Sequence, residues 1–164
     1  MKQIEIERKF LIAMPDIKFL MNLDGCVVTK ISQTYTLNNI RIRKCVTDDK
    51  ESYIKTVKRK ISDMSRIEEE SEISREEYKD LLATADPGRK TLKKTRYAFP
   101  YNNKVLEIDI FSFWKKQAFL EIELESENEE FSLPDFIKVI KEVTFEGQYK
   151  NYALSKNIPE EEIF

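Results

Sequence analysis

Charged and apolar residues alternate with a period of two along several segments of the chain, and this pattern constrains the fold most strongly. Successive side chains of a strand point to opposite faces, so each segment separates a charged face from an apolar face. The segments are IEIERKF, QTYTL, IRIRK, SYIKTVKRK, RIEEESEIS, KKTRYAF, VLEIDIFSF and FLEIELES. The polar stretches TDDKES, PYNNK and the pair Asn38 and Asn39 predict hairpin turns or strand interruptions, with neighbouring strands antiparallel in a meander.

Helices are predicted between these strands. Ser74 and Glu77 have the spacing of a capping box, and Pro134 fits the first turn of a helix that begins after Ser132. The predicted helices are residues 16–22, residues 74–84, the segment after Ser132 and residues 149–156. Without a linker or a repeat, the chain is interpreted as one α+β domain over residues 1–164.

The signs of the strand charges are sorted rather than mixed. On a solvated sheet face, acids and bases intermingle because like charges repel across and along strands. Here the acidic sets are Glu68, Glu70 and Glu72; Glu107 and Asp109; and Glu121, Glu123 and Glu125. The basic sets are Arg41 and Arg43; Lys58 and Lys60; and Lys94 and Arg96. Rows of carboxylates are costly unless a cation or a basic strand lies among them, so the arrangement indicates a site.

The opposite faces of the acidic strands are apolar and must be buried. One strand carries Leu106, Ile108 and Ile110, and another carries Leu120, Ile122 and Leu124. An open sheet would leave its charges in water, whereas a barrel with its apolar side outward would place them in a lumen. The strand pattern leaves both architectures open. A lumen of this kind would hold a polyanion with a divalent metal, since guanidinium and ammonium groups bind phosphate and hard cations prefer carboxylates.

Composition excludes several functional classes. With 28 Lys and Arg against 30 Asp and Glu, the net charge is −2, which gives no general attraction to nucleic acid or to membranes. The chain has no histidine, and Cys26 and Cys45 lack metal-ligand spacing, so imidazole and thiol chemistry are disfavoured. The segment MKQIEIERKF contains no apolar signal or membrane span, and we expect a soluble cytoplasmic protein.

The order of the charged motifs resembles that of a known family. Glu5, Glu7 and Lys9 form E-x-E-x-K near the N-terminus. Later motifs are R-x-R at Arg41 and Arg43, T-V-K ending at Lys58, R-x-E-x-E-x-E from Arg66 to Glu72, K-x-R at Lys94 and Arg96, E-x-D-x-F from Glu107, and E-x-E at Glu121 and Glu123. With EVTFEGQYKNYAL near the C-terminus, the set resembles the CYTH superfamily, the triphosphate tunnel metalloenzymes.

The resemblance implies a closed antiparallel barrel of about eight strands with flanking helices, and metal-dependent triphosphate hydrolysis in its tunnel. It implies a divalent cation, Mg2+ or Mn2+, held by Glu5, Glu7, Glu121 and Glu123, with Glu107 and Asp109 as further metal ligands. The implied substrate-binding residues are Lys9, Arg41, Arg43, Lys58, Lys94 and Arg96. Glu5, Glu7, Lys9, Glu68 and Glu70 are the implied catalytic residues, with Glu68 and Glu70 holding a second cation or orienting the attacking water.

Other roles and functions stay open. Tyr35 is interpreted as either a site residue or a structural one, Arg66 and Glu72 as either site residues or an ion pair, and Lys60 and Glu125 as solvent-facing. Inorganic triphosphate is the expected substrate, with nucleoside triphosphate next, and a homodimer is possible. The same superfamily includes adenylate cyclases and thiamine triphosphatases. A non-catalytic polyphosphate-binding or nucleotide-binding module and a wet charged sheet without a site are the alternatives from other classes.

Overall fold

The computed structural model describes residues 2–162, without the side chain of Lys2. The predicted domain also includes Met1, Ile163 and Phe164, which lie outside the described residues. Within the described range, nine strands form one antiparallel sheet. They are β1 (Lys2–Ala13), β2 (Val27–Tyr35), β3 (Arg41–Thr47), β4 (Lys50–Lys60), β5 (Ser65–Ile73), β6 (Leu92–Tyr101), β7 (Lys104–Phe111), β8 (Gln117–Glu123) and β9 (Val139–Glu142).

The sheet closes into a barrel of eight strands. Its strand order is β5-β4-β3-β2-β6-β7-β8-β1, and an additional pairing of β5 with β1 joins the two ends. The first half of β1 pairs with β5, and the second half pairs with β8 on its opposite edge. The predicted α+β barrel with an antiparallel meander is therefore confirmed, with β2 to β5 and β6 to β8 as its two meander stretches.

Two hairpins use the left-handed turns that asparagine and aspartate tolerate. Asp48 and Asp49, between β3 and β4, have φ values of 50° and 64°. Asn102 and Asn103, between β6 and β7, have φ values of 47° and 62°. Positive φ at both central residues is the geometry of a two-residue type I′ turn, whose twist matches that of the flanking strands. The TDDKES and PYNNK segments thus form the predicted hairpins.

Two of the predicted helices are confirmed almost to the residue. They are α1 (Ile17–Met21) and α2 (Arg75–Leu82), and near the C-terminus a 3₁₀ turn (Gly147–Tyr149) precedes α3 (Asn151–Leu154). Ser74 caps α2 by accepting a hydrogen bond from the backbone N–H of Glu77 at 3.0 Å. The predicted helix over residues 149–156 is shorter, because the chain is extended at Lys150 before α3 begins.

The predicted helix after Ser132 is wrong. Residues 131–138 form an irregular segment with a turn closed by the Ile137 N–H on the carbonyl oxygen of Pro134 at 3.0 Å, and β9 follows. The backbone of β1 beyond Ile6 has no partner from β5, and β9 pairs with this edge from Phe10 to Ile12. Hydrogen bonding of β9 to the open edge of β1 outweighs the local preference for a helix around Pro134.

The main hydrophobic core lies outside the barrel wall. The outward side chains of β1, β6, β7 and β8 pack under α1 and residues 131–137. Leu106, Ile108, Leu120 and Ile122 are all at most 1% exposed, and each such buried side chain contributes about 1.5–3 kcal/mol. Helix α2 covers a second outward patch through Tyr78. With the apolar faces outward, the charged faces line the lumen.

One section of the lumen is apolar instead of charged. Leu11, Leu92, Phe111 and Phe119 each lie two residues from a charged lumen position of their strands, and they pack with Trp114, Val143, Tyr149 and Leu154. Trp114 is 3% exposed inside the cluster and therefore has a packing role. We call these eight residues the aromatic cluster. It ties the C-terminal 3₁₀ turn and α3 to the barrel.

No helix among the described residues has the length and apolar character needed to cross a membrane.

Candidate active site

Carboxylates of β1 and β8 meet on the lumen side of the barrel. Glu7 lies directly opposite Glu123 in the antiparallel register. Burial, followed by the negative charges of Glu121 and Glu5, raises the pKa of Glu7 to about 8. Neighbouring carboxylates disfavour one another's ionisation unless a cation lies among them. This face therefore has the electrostatics of a cation site.

Lys9 is held in place by the C-terminal segment. Its Nζ donates a hydrogen bond to the backbone carbonyl oxygen of Tyr149 at 2.8 Å and lies 3.6 Å from Glu121 Oε1. The ammonium group also lies 4.0 Å from the centre of the Phe119 ring, within the range of a cation–π interaction. The backbone N–H of Lys9 donates to Thr144 Oγ1 at 2.9 Å. With 7% of its surface exposed, Lys9 is a buried and oriented cation.

Three glutamates and two cations form a chain across β1, β5, β4 and β3. Lys58 Nζ donates to Glu5 Oε1 at 2.9 Å, and Arg43 Nη2 donates to Glu70 Oε2 at 3.1 Å. Glu68 lies beside Glu5 and Glu70, and it is 3% exposed. Burial, followed by hydrogen bonding with these neighbours, raises the pKa of Glu68 to about 9. Glu68 therefore keeps its proton at neutral pH and can donate it to one of the two charged glutamates at a time.

Acidic and basic residues on β6 and β7 neutralise one another. Asp109 accepts from Lys94 Nζ at 2.7 Å and from Arg96 Nε and Nη2 at 2.8 and 2.9 Å. Arg96 also lies 3.2 Å from Glu107. Burial raises the pKa of Asp109, but the charges of Arg96 and Lys94 outweigh burial and hold that pKa well below its usual range. All four residues face the lumen, and their predicted metal and substrate roles stay predictions.

A cavity of about 500 Å³ opens among the charged strands and the C-terminal segment. Arg41 lines it together with Tyr35 and Thr56, which flank Arg41 in the sheet register. Arg41 is 9% exposed, and its Nε has no hydrogen-bond partner among residues 2–162. The charged lining residues are Glu7, Lys9, Arg41, Lys58, Lys60, Asp63, Arg66, Glu121 and Lys150. Cations thus outnumber acids around this space.

One of these cations, Lys150, was not predicted as a site residue, and the sequence leaves Arg66 open between a site residue and an ion pair. Lys60 and Arg66 lie directly opposite each other on β4 and β5, and both line the cavity. The Lys60 side chain is 58% exposed, in agreement with its solvent-facing interpretation, and its Nζ lies 2.8 Å from Asp63 Oδ1. Burial, followed by the positive charges of Arg66, Lys60 and Lys9, lowers the pKa of Lys150 to about 8. The period-two alternation of β4 and β5 already places Lys60 in a basic set and Arg66 at the start of a charged motif. Lys150 has no such signal, because it lies between a 3₁₀ turn and a short helix.

The donor set fits a hard divalent cation in its chemistry. Among residues 2–162, no three acidic or thiol side chains converge closely enough to enclose a metal ion, and Lys58 and Lys9 lie against Glu5 and Glu121. The electrostatics nevertheless favour a cation, because the buried Glu7 carboxyl faces other carboxylates. Oxygen-only ligands are those that Mg2+ and Mn2+ prefer. Glu5, Glu7, Glu121 and Glu123 therefore suit such an ion.

The fold occurs in other solved structures. The crystal structure of the inorganic triphosphatase NE1496 is similar at 28% sequence identity and a TM-score of 0.54, and the match covers 95% of this chain and 97% of that chain. A conserved hypothetical protein from Pyrococcus furiosus matches at 20% identity and a TM-score of 0.53, over 76% of this chain and 80% of that chain. The PH1012 protein from Pyrococcus horikoshii OT3 matches at 19% identity and a TM-score of 0.51, over 76% and 80% of the two chains.

Comparison with families gives a match that covers most of the chain. No curated protein matches the sequence. The family description that matches is the CYTH domain, over residues 3–151. This range contains every strand from β2 to β9, nearly all of β1, and all charged residues of the cavity. The chain therefore belongs to the CYTH domain family.

Proposed function

We propose that this protein hydrolyses inorganic triphosphate in the barrel cavity with the help of a divalent metal ion. The observation that carries the proposal is the group formed by Lys9, Arg66 and Lys150, with Lys60 paired to Asp63 beside them, whose positive charges face the same cavity as Glu7 and Glu121. Like charges gathered in this way are costly unless a polyanion lies among them. The similarity to a protein named as an inorganic triphosphatase supports the same chemistry.

Glu7, Glu121 and Glu123, with Glu5 beside them, would hold the metal ion. When bound, a divalent cation neutralises phosphate oxygens and favours attack by water. The carboxylates of this chain would position that ion, because they project from adjacent strands of a closed barrel wall. Rigid strands hold such groups better than loops do, which matters since phosphoryl transfer depends mainly on positioning and charge neutralisation.

The cations of the cavity would bind and orient the phosphate chain. Arg41 is suited to bind two oxygens at once, because a guanidinium group donates in a planar fork and its Nε has no partner among the described residues. Lys9 is the buried cation beside Glu121, and it would contact the phosphoryl group nearest the metal. Glu68, which keeps its proton, would hold one of its two neighbours, Glu5 or Glu70, by a hydrogen bond beside the substrate.

The lining of the cavity favours an inorganic chain over a nucleotide. Lys60, Arg66 and Lys150 extend the positive charge, where a base would need apolar or aromatic surface. Tyr35 and Tyr152 are the aromatic residues that line the cavity among the described residues, but the guanidinium of Arg89 lies 3.4 Å from the Tyr152 ring centre and the Tyr35 ring meets Tyr152 edge-on at 5.0 Å. With these contacts, Tyr152 is poorly placed to stack on a base.

Phosphate release tests the proposed function directly. We expect release from inorganic triphosphate with Mg2+ or Mn2+, slower release from ATP, and none with a chelator. The measurement is free phosphate over time for both substrates under each metal condition. Formation of cyclic AMP from ATP would favour adenylate cyclisation, and faster release from thiamine triphosphate would favour that substrate. Tight triphosphate binding without turnover in any metal would contradict the hydrolase and favour a binding module.

The binding of triphosphate is expected to weaken as the pH rises through about 8. At that pH Lys150 loses its proton, since its pKa is lowered from 10.5 to about 8. We expect the KM of the wild type to increase about three- to tenfold between pH 7 and pH 9. Lys150→Arg should show a flatter profile, because a guanidinium stays charged. The measurement is KM against pH for both proteins.

The titration of Lys150 also predicts how the stability of the substrate-free protein depends on pH. The folded protein releases the Lys150 proton at a lower pH than the unfolded chain, so the unfolded state binds more protons between about pH 8 and 10.5. Stability from this group therefore rises with pH across that window.

In the KM measurement, an equal rise in the wild type and in Lys150→Arg would show that the titrating group belongs to the substrate or to another residue.

A further inference from the structure

The last described residues cross the end of the barrel and are fixed there by several contacts. We call Pro159–Glu162 the C-terminal strap; it lies beyond residues 3–151, where the family description matches. The indole Nε1 of Trp114 donates to the carbonyl oxygen of Pro159 at 3.0 Å. Glu161 Oε1 accepts from the backbone N–H groups of Lys115 and Lys116, each at 2.6 Å. The strap is thus anchored to the loop between β7 and β8.

Glu162 connects the strap to the C-terminal 3₁₀ turn. Its backbone N–H donates to Gln117 Oε1 at 2.7 Å, and Gln117 is fully buried. Its side-chain Oε1 accepts from the Tyr149 hydroxyl at 2.8 Å and lies 3.2 Å from Lys141 Nζ. The backbone of Glu162 is therefore held by Gln117 of β8, and its side chain is held by Tyr149.

Tyr149 connects the Glu162 contact to Lys9 in the cavity. Its ring packs against Phe119 and Trp114 at centroid distances of 6.1 and 6.4 Å, and Tyr149 is 2% exposed. Its backbone carbonyl oxygen accepts the hydrogen bond from Lys9 Nζ at 2.8 Å. The phenol and the carbonyl belong to one residue in a tight turn, so a shift of the ring moves the acceptor of Lys9.

We infer that the C-terminal strap positions the Lys9 ammonium group through the contact of Glu162 with Tyr149. Among the described residues, the other contacts of the Lys9 ammonium group are Glu121 at 3.6 Å and the face of Phe119. A lysine chain is flexible, and its precise placement depends on fixed acceptors. Glu162 and Tyr149 are thus positioning residues, and the catalytic consequence rests on the proposed function.

The first test is the reactivity of the Lys9 amine, which is independent of any activity. Tyr149→Phe removes the donor and Glu162→Leu removes the acceptor, each with a side chain of similar size. We expect acetic anhydride to modify Lys9 at least about threefold faster in both variants, read by mass spectrometry of the Lys9 peptide. Glu160→Leu, the same change at an exposed carboxylate in the same tail, should leave the rate unchanged. An unchanged Lys9 rate in both positioning variants overturns the inference.

The second test is catalytic and uses a double-mutant cycle. We expect each variant to lower kcat for inorganic triphosphate about five- to tenfold with KM within about twofold. The double variant should lose no more than a single variant, since both changes remove one contact. Multiplied losses would show two separate effects and would contradict the inference. The far-UV circular dichroism spectrum should stay constant and show that the barrel fold is intact.

The outcomes of the two tests distinguish a failure of the proposed function from a failure of the positioning role. If the wild type releases no phosphate, the proposed function fails, while faster modification of Lys9 in both variants still supports the positioning role of the strap. If the wild type is active and the variants keep both its kcat and its Lys9 reactivity, the proposed function stands and the strap has no positioning role.

Discussion

Glu7→Gln lowers metal-dependent phosphate release from inorganic triphosphate by at least about a hundredfold, an expected loss of about 2.7 kcal/mol or more in transition-state stabilisation. The amide keeps the shape of the side chain but cannot supply the charge that a divalent cation needs. The loss should appear in kcat/KM under saturating Mg2+ and Mn2+. Stability should not fall, because burial and the charges of Glu121 and Glu5 make an ionised Glu7 unfavourable.

The matched control is Glu69→Gln on the outer face of the barrel. Glu69 lies on β5 and is exposed, so the same chemical change is made outside the lumen. We expect its kcat/KM to stay within about twofold of the wild type. Thermal unfolding without metal should give a Tm for Glu7→Gln that equals or exceeds the wild-type Tm. Full activity of Glu7→Gln would exclude an essential role of this carboxylate in metal binding.

Asp109→Asn should destabilise the fold by about 3–5 kcal/mol, the cost of leaving buried cations without their counter-ion. Asp109 is 1% exposed and compensates both Lys94 and Arg96. The amide can still hydrogen bond but carries no charge, so Lys94 would lose its ion pair and Arg96 would keep its ion pair with Glu107. The free energy of unfolding in urea at pH 7 measures this effect.

The pH dependence of that difference has a definite sign. The folded-state pKa of Asp109 lies below its usual value of 3.8. Its stabilising contribution is therefore fully present above pH 3.8 and is lost as the pH falls toward the folded pKa. Glu107→Gln is the control, since the Glu107 side chain is 35% exposed and should cost about 1 kcal/mol or less. Equal losses for both variants would show that Asp109 is not the main counter-ion.

The barrel and its lumen faces could be predicted because strand alternation is a local property. The residues from Glu5 to Lys9, or from Glu121 to Glu123, show their charged face within a few positions. The resemblance to a family then selected a closed barrel, a choice that the pattern alone left open. The helix predicted after Ser132 failed because the edge of β1 that β9 covers is created by tertiary structure.

The pairing of charges within the lumen could not be predicted from the sequence. Asp109 has the same spacing to Glu107 as Glu123 has to Glu121, yet Asp109 lies between two buried cations. Which partner a strand charge meets depends on register and on the order of strands around the barrel. Lys150 was missed for a related reason, because its position depends on how the C-terminal segment packs against the barrel.

The pairing of β1 with three strands has a consequence for how the molecule folds. Its partners are β5, β8 and β9, and β9 ends at Glu142, close to the other end of the chain. Contacts so distant in sequence slow folding, because a long loop must close before they form. During synthesis, β1 can pair with β8 and β9 only after these strands have left the ribosome. Glu7 and Glu121 meet only when β1 pairs with β8, so a nascent chain that ends before β8 cannot bring these two carboxylates together.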